Sequence, residues 1–243
     1  SNSFQLTPIG GQDGVVFKLS ADFSSMLWSS YYGGTNNDAC YSVKIDSSYN
    51  IIVAGGTSSN DLPSTAGALT TTYQGGETDG FVAKISVDGS TLVRSSYIGT
   101  TDYDQVFFIE VDRWDNIYLY GQSSGNMPVV NATYSDPNSG QFIMKLIPDL
   151  STIDYSTVFG SGNGNVDISP AAFLVDVCGN AYCTGWSGIT LPAMTSMPIT
   201  GDAFQSIPPN GNDFYLFVLE RDAQSMLYGS YIGGSAAGEH VDG

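Results

Sequence analysis

The sequence predicts an all-β protein assembled from repeated four-stranded antiparallel units. Three observations carry this. First, related segments recur: GVVFKLS (14–20), GFVAKIS (80–86), QFIMKLI (141–147) and FYLFVLE (214–220). Each is followed by a second element: MLWSSYYGG (26–34), TLVRSSYIGT (91–100), TIDYSTVFG (152–160) and SMLYGSYIGG (225–234). A third element reads as a hairpin: YSVKIDSSYNIIVAGG (41–56), FFIEVDRWDNIYLYGQ (107–122) and FLVDVCGNAYCTGW (173–186). Second, fixed residues recur within that hairpin at spacings of 66 and 64: Asp46, Asp112 and Asp176; Asn50, Asn116 and Asn180; Gly55, Gly121 and Gly185. Third, long segments with a clean 3.6-residue apolar period are missing, while 29 Gly and 15 Tyr mark a chain of short strands and many turns.

Each element follows from its residues. Ile51 and Val53, like Ile117 and Leu119, alternate with their neighbours as a pleated strand requires. In the Asp-x-x-x-Asn turn, Asp and Asn bond the turn backbone and tolerate unusual φ, and a divalent-cation site is the sharper alternative. The recurring Gly marks close backbone approach or positive φ at a strand end. A unit of 60–70 residues with four strands and one long loop matches a β-propeller blade, whose two apolar faces only its neighbours can cover.

The matching strand order is 40–46, 51–55, 81–86 and 92–98 in one blade. It is 106–112, 117–120, 141–146 and 152–159 in the next, then 171–176, 181–184, 214–220 and 226–232. The chain then divides as part of a single propeller domain. Residues 1–38 form the outer half of a blade; 39–104, 105–166 and 167–238 form complete blades; 239–243 begin another. About three and a half blades are too few to close a ring unaided. The expectation is a partial propeller, part of a longer one, with a paired chain supplying the missing blades as the other route.

The run DGFVAKIS-DGSTL-SSYIG (79–99), then Asp104, then IEVDRWDNIYLYG (109–121), resembles the bacterial SBBP (seven-bladed β-propeller) repeat family. SNDLPSTAGALTTTYQGG (59–76), YDQVFFIEVDRWDNIYLYGQ (103–122) and GEHVDG (238–243) resemble large Bacteroidetes surface proteins associated with gliding motility. The resemblance implies export by type IX secretion to the outer cell surface. Residues 1–14 carry neither a basic start nor an apolar stretch, so they do not read as a signal peptide.

Composition bounds the chemistry. Acidic residues number 24 against 7 Lys and Arg, a net charge of −17. Seven scattered cations cannot build a nucleic-acid surface, and anionic membranes are disfavoured for the same reason. Runs of 18 apolar residues are missing, which excludes membrane insertion through a helix. Three cysteines (Cys40, Cys178, Cys183) leave at least one unpaired within the chain, and with one His they do not read as a zinc site. GSGNGN (160–165) reads as a loop, and no HExxH or Walker loop occurs. The single His240, beside Glu239 and Asp242, reads as a polar loop opening the next blade.

The candidate contact residues are therefore few. Asp38, Asp102, Asp104 and Asp167 fall in loops from an outermost to an innermost strand. There they would ring one mouth of the channel, keeping it wet and acidic or holding Ca²⁺ through oxygen ligands. Trp114 sits at a hairpin tip, where it can stack on a sugar or a partner. Tyr31, Tyr97 and Tyr231 read as packing between blades, and Lys18, Lys84 and Lys145 as partly solvated strand positions. The long loops 56–79, 122–140 and 186–213 should emerge at the end bearing Asp38 and Asp104 and hold binding specificity.

The expected function is a non-catalytic, cofactor-free cell-surface scaffold. Its partners would be protein or surface glycan, with further blades or a neighbouring chain at the open edges. The rivals are a carbohydrate-binding or carbohydrate-active propeller and a surface-filament subunit. An enzyme would show one non-repeated cluster of carboxylates and aromatics; a scaffold would show equivalent loops without such a focus.

Overall fold

The computed structural model describes residues 3–187, 196–208 and 213–234; the expected start of a further unit at 239–243, with His240, lies outside them. The described residues form strands β1 (Gly14–Leu19), β2 (Met26–Tyr32), β3 (Asp38–Ile45), β4 (Ile51–Thr57), β5 (Asp79–Ile85), β6 (Leu92–Ile98) and β7 (Asp104–Val111). They continue with β8 (Ile117–Ser123), β9 (Gln141–Leu146), β10 (Ile153–Phe159), β11 (Ser169–Val175), β12 (Ala181–Trp186), β13 (Phe214–Leu219) and β14 (Met226–Ile232). A single 3₁₀ turn, Arg221–Ala223, is the helical content of the described residues. None of their helices is long and apolar enough to cross a membrane.

The protein is all-β. Strands β1 and β2 pair as one sheet; β3–β6, β7–β10 and β11–β14 form three four-stranded sheets, each strand antiparallel to its sequence neighbour. Consecutive sheets pack face to face, because alternate residues of each strand point to opposite faces. In β5, Phe81, Ala83 and Ile85 join Val16, Trp28 and Tyr32 of the first sheet. Its Val82 faces the other way, into a cluster with Ile109, Leu119, Phe142 and Met144. A third cluster joins the last two sheets through Tyr118, Tyr120, Phe159, Tyr215 and Phe217. Contacts between sheets concentrate on β7, which meets β3, β4 and β5 on one side and β11 on the other.

The recurring Asp turns all fold alike. Asp46, Asp112 and Asp176 each accept two backbone amides, from residues two and four positions later, and the side-chain amide of the recurring Asn. Positive φ falls between Asp and Asn, at Tyr49 (64°), Asp115 (65°) and Gly179 (90°), rather than on the motif residues themselves. The recurring strand Gly meets a different need. A Cβ on Gly55 or Gly121 would enter the carbonyl oxygen of Ala39 or Gln105, so close backbone approach explains them. Gly121→Ala is expected to cost about 2 kcal/mol or more, since strand backbone cannot yield as a side chain can. Urea midpoints compare it with Gly201→Ala, whose Cβ meets nothing within 4 Å; equal midpoints would refute the steric account.

Two expectations need correction. Lys84 and Lys145 are buried, at 8% and 9% exposure, rather than partly solvated. Each brings its ammonium to acceptors at a sheet interface: Lys84 to Asp46 (3.2 Å) and the Pro148 carbonyl (2.7 Å), Lys145 to Asp154 (2.8 Å). Val218, at the same register in β13, needs no such partner.

The long loops leave and return at the end bearing Asp38 and Asp104, as expected, but they do not stay there. They run back along the outermost strands. Tyr97 donates its amide to the Thr70 carbonyl while Ser96 Oγ accepts the Thr70 amide. The same pair recurs as Tyr31 and Ser30 with Gln5, and as Tyr231 and Ser230 with Gln205. Val130 forms an antiparallel bridge to Ser156 of β10. Each loop is thus a strap satisfying an edge that would otherwise present unpaired backbone.

Candidate functional site

The loop end brings Asp38 and Asp104 together with their own loops rather than with solvent. Asp38 is 1% exposed. It accepts the Gly34 amide (2.8 Å), the Ser59 hydroxyl (2.8 Å) and the Thr57 hydroxyl. Asp104 accepts the Thr100 amide (2.6 Å) and hydroxyl (2.9 Å). Asp167 takes the equivalent bonds from Ser161. These carboxylates clamp the turn that enters each first strand. Asp102 is exposed, with its amide bonded to Thr100 Oγ1 (3.2 Å).

Sequence reasoning missed Asp79, which is fully buried. A Cβ on Gly99 would touch Asp79 Oδ1 at 2.7 Å and Asp104 Oδ2 at 3.0 Å, so both carboxyls close on one point. Asp79 Oδ2 accepts the Gln74 amide (2.6 Å), but its buried Oδ1 has no partner among the described residues. The equivalent Asp13 bonds two amides, Ile9 and Gly10. The signal was legible: QGGETD (74–79) is one residue longer than IGGQD (9–13), which moves the second amide away. Burial pushes the Asp79 carboxyl up to about 7 against the pull of the Gln74 amide, and the Asp104 charge adds to the rise. Burial also raises the Asp104 carboxyl, opposed by Ser123 and Thr100.

Beside these carboxyls lies a cleft of about 330 Å³ where the first three sheets meet. Gln12, Asn37, Tyr41, Ser58, Glu77 and Gln105 line it. Its floor is Gly56, against which the Gln105 side chain rests, 3.1 Å from where a Cβ would stand. The register puts Gln122 and Trp186 at the Gly56 position of the later sheets. Gln122 turns inward to donate to the Ile168 carbonyl (2.5 Å). The cleft is therefore a departure from the repeat, where a glycine leaves room for the Gln105 side chain that lines it.

At the opposite hairpin tips, Trp114 is 59% exposed. Arg113 covers one ring face at 4.1 Å. Trp114, Asp112, Val177 and Gly179 line a hollow of about 150 Å³ between two turns. Asp112 and Asp176 are occupied by those turns, so the hollow offers an aromatic edge and few free polar groups.

Among the described residues no group of three or more His, Cys, Asp or Glu converges as a metal site would. The three cysteines are free: Cys40 half-buried, Cys178 exposed, Cys183 buried. Comparison with models of known families finds no match, and comparison with curated proteins finds none.

Proposed function

We propose that this chain is a run of β-propeller blades serving as a non-catalytic scaffold on a bacterial cell surface, where it mediates adhesion or protein contact. The observation that carries the reading is the fate of the repeated carboxylates. Asp38, Asp104 and Asp167 clamp loops, and Asp46, Asp112 and Asp176 clamp turns. A reaction centre needs differently tuned groups that a substrate can reach; here the recurring acids are spent on geometry, and Asp79, the one tuned differently, is fully buried against Asp104.

Sheet order supports the propeller. The β3–β6 and β7–β10 sheets each present one face to their predecessor and the other to their successor. At the start of the series, Val15 and Phe17 are 50% and 55% exposed, while Phe81 and Ala83 at the same register are fully buried. A further sheet on that face would complete the pattern. The resemblance to SBBP repeats supplies the surface location.

Antibodies against this chain should label intact cells of the source organism, and their Fab fragments should reduce attachment or spreading. Label that appears only after permeabilisation would overturn the location. Hydrolytic turnover of polysaccharide or peptide by the purified chain would overturn the non-catalytic reading.

A further inference from the structure

We propose that the cleft over Gly56 is a binding site for a neutral hydroxylated ligand, a hexose unit of a polysaccharide. This deepens the adhesion reading and rests on it only in expecting no turnover.

The cleft's chemistry selects the class. Among its lining residues there is no Lys or Arg, and the chain's charge is −17, so an anionic ligand is repelled. Asp38 lines the cleft, but its oxygens already accept Gly34, Thr57 and Ser59. Glu77, at the exposed rim, is the remaining carboxylate of the lining. Most of the polar lining is neutral: side-chain amides of Gln12, Asn37 and Gln105, with the Ser58 hydroxyl and the Tyr41 phenol. Amides and hydroxyls each donate and accept, which is what a ring of vicinal hydroxyls requires. The Ser58 hydroxyl already bonds the Asn37 backbone and the Tyr41 phenol bonds Gln105, but a purely apolar ligand would strip water from the Gln12 and Asn37 amides.

The aromatic part is also present. Tyr41 is 45% exposed. Its ring stacks on Phe107 at 5.5 Å and 12°, a rigid backing for the face of a sugar ring. The volume of about 330 Å³ is at the lower end of small-ligand sites and suits one ring of a longer chain.

Isothermal titration with maltohexaose, cellohexaose and mannohexaose tests this, with hyaluronan and chitosan oligomers as charged controls. At least one neutral hexaose should bind. Gly56→Gln inserts the side chain that the next sheet carries as Gln122, so the fold should tolerate it while the cleft fills. Binding should fall roughly tenfold or more with the melting temperature retained, and Tyr41→Ala should match that loss. Failure of all three hexaoses, binding of a charged oligomer alone, or unchanged affinity in Gly56→Gln would each overturn the site. Binding accompanied by new reducing ends would uphold the site and overturn the non-catalytic reading.

Discussion

Asp79→Asn is expected to stabilise the protein at pH 8 and to leave it nearly unchanged at pH 4. In the folded chain burial and the Asp104 charge lift the Asp79 carboxyl from 3.8 to about 7. In the unfolded chain it titrates near the ordinary value of about 3.9. Below both values the proton is bound in either state. Between them the folded state keeps a proton that the unfolded state releases, so stability falls as pH rises from about 4 to 7. Above 7 the loss is complete.

Asparagine keeps an oxygen for the Gln74 amide and turns an N–H₂ towards the Asp104 side, removing the repulsion. The other ionisable groups around the pair, Tyr73, Glu77, Tyr97 and Asp102, bring no positive charge. The gain at pH 8 should be on the order of 2 kcal/mol, about half of what the shift alone equates to, because nearby solvent screens the site. Urea unfolding at pH 4, 6 and 8 measures it. An equal effect at all three would show that the pair is not the source.

Phe217→Ala should be more damaging. Phe217 is fully buried and stacks on Phe159 with ring centres 4.1 Å apart and planes within 5°. Tyr134 and Tyr215 close its remaining sides at 5.7 and 6.5 Å. Removing the ring leaves a cavity between two sheets whose strands cannot collapse into it. The expected cost is about 3–5 kcal/mol. Phe217→Met should lose far less, on the order of 1 kcal/mol, because Met144 holds the equivalent register position in the preceding sheet. A loss below about 1 kcal/mol for Phe217→Ala would mean that the aromatic seam does not hold these sheets together.

Much of the fold was legible because its signals are periodic. The Asp-x-x-x-Asn spacing marked each turn, and strand alternation marked which faces meet. Tyr97 and Tyr231 were rightly placed between sheets, both 1% exposed, whereas at the Tyr31 position the first sheet buries Tyr32 instead and leaves Tyr31 half-buried. What escaped were effects of single residues and of neighbours far along the chain. A strand lysine reads as solvated until the acceptors folded over it are known, as Asp46 of its own sheet and the Pro148 carbonyl of the next are for Lys84. The acids at the loop end read as a wet ring because their role depends on amides four to six positions earlier folding back over them. The cleft lay in the substitution of Gly56 for Gln122 and Trp186, an alignment that the strand register supplied. Asp79 turned on a one-residue difference in loop length, visible in the sequence but silent without geometry.

The straps along the outer strands have a bearing on how such a chain can grow. Each is carried by the same stretch of sequence as the edge it covers, and it holds on through main-chain bonds, with a serine hydroxyl added at three of the four described edges. Tandem duplication would therefore copy the protection with the unit. Added units would bring no sticky rim, and strap sequences would be free to drift apart as long as one backbone amide and one carbonyl still reach the rim.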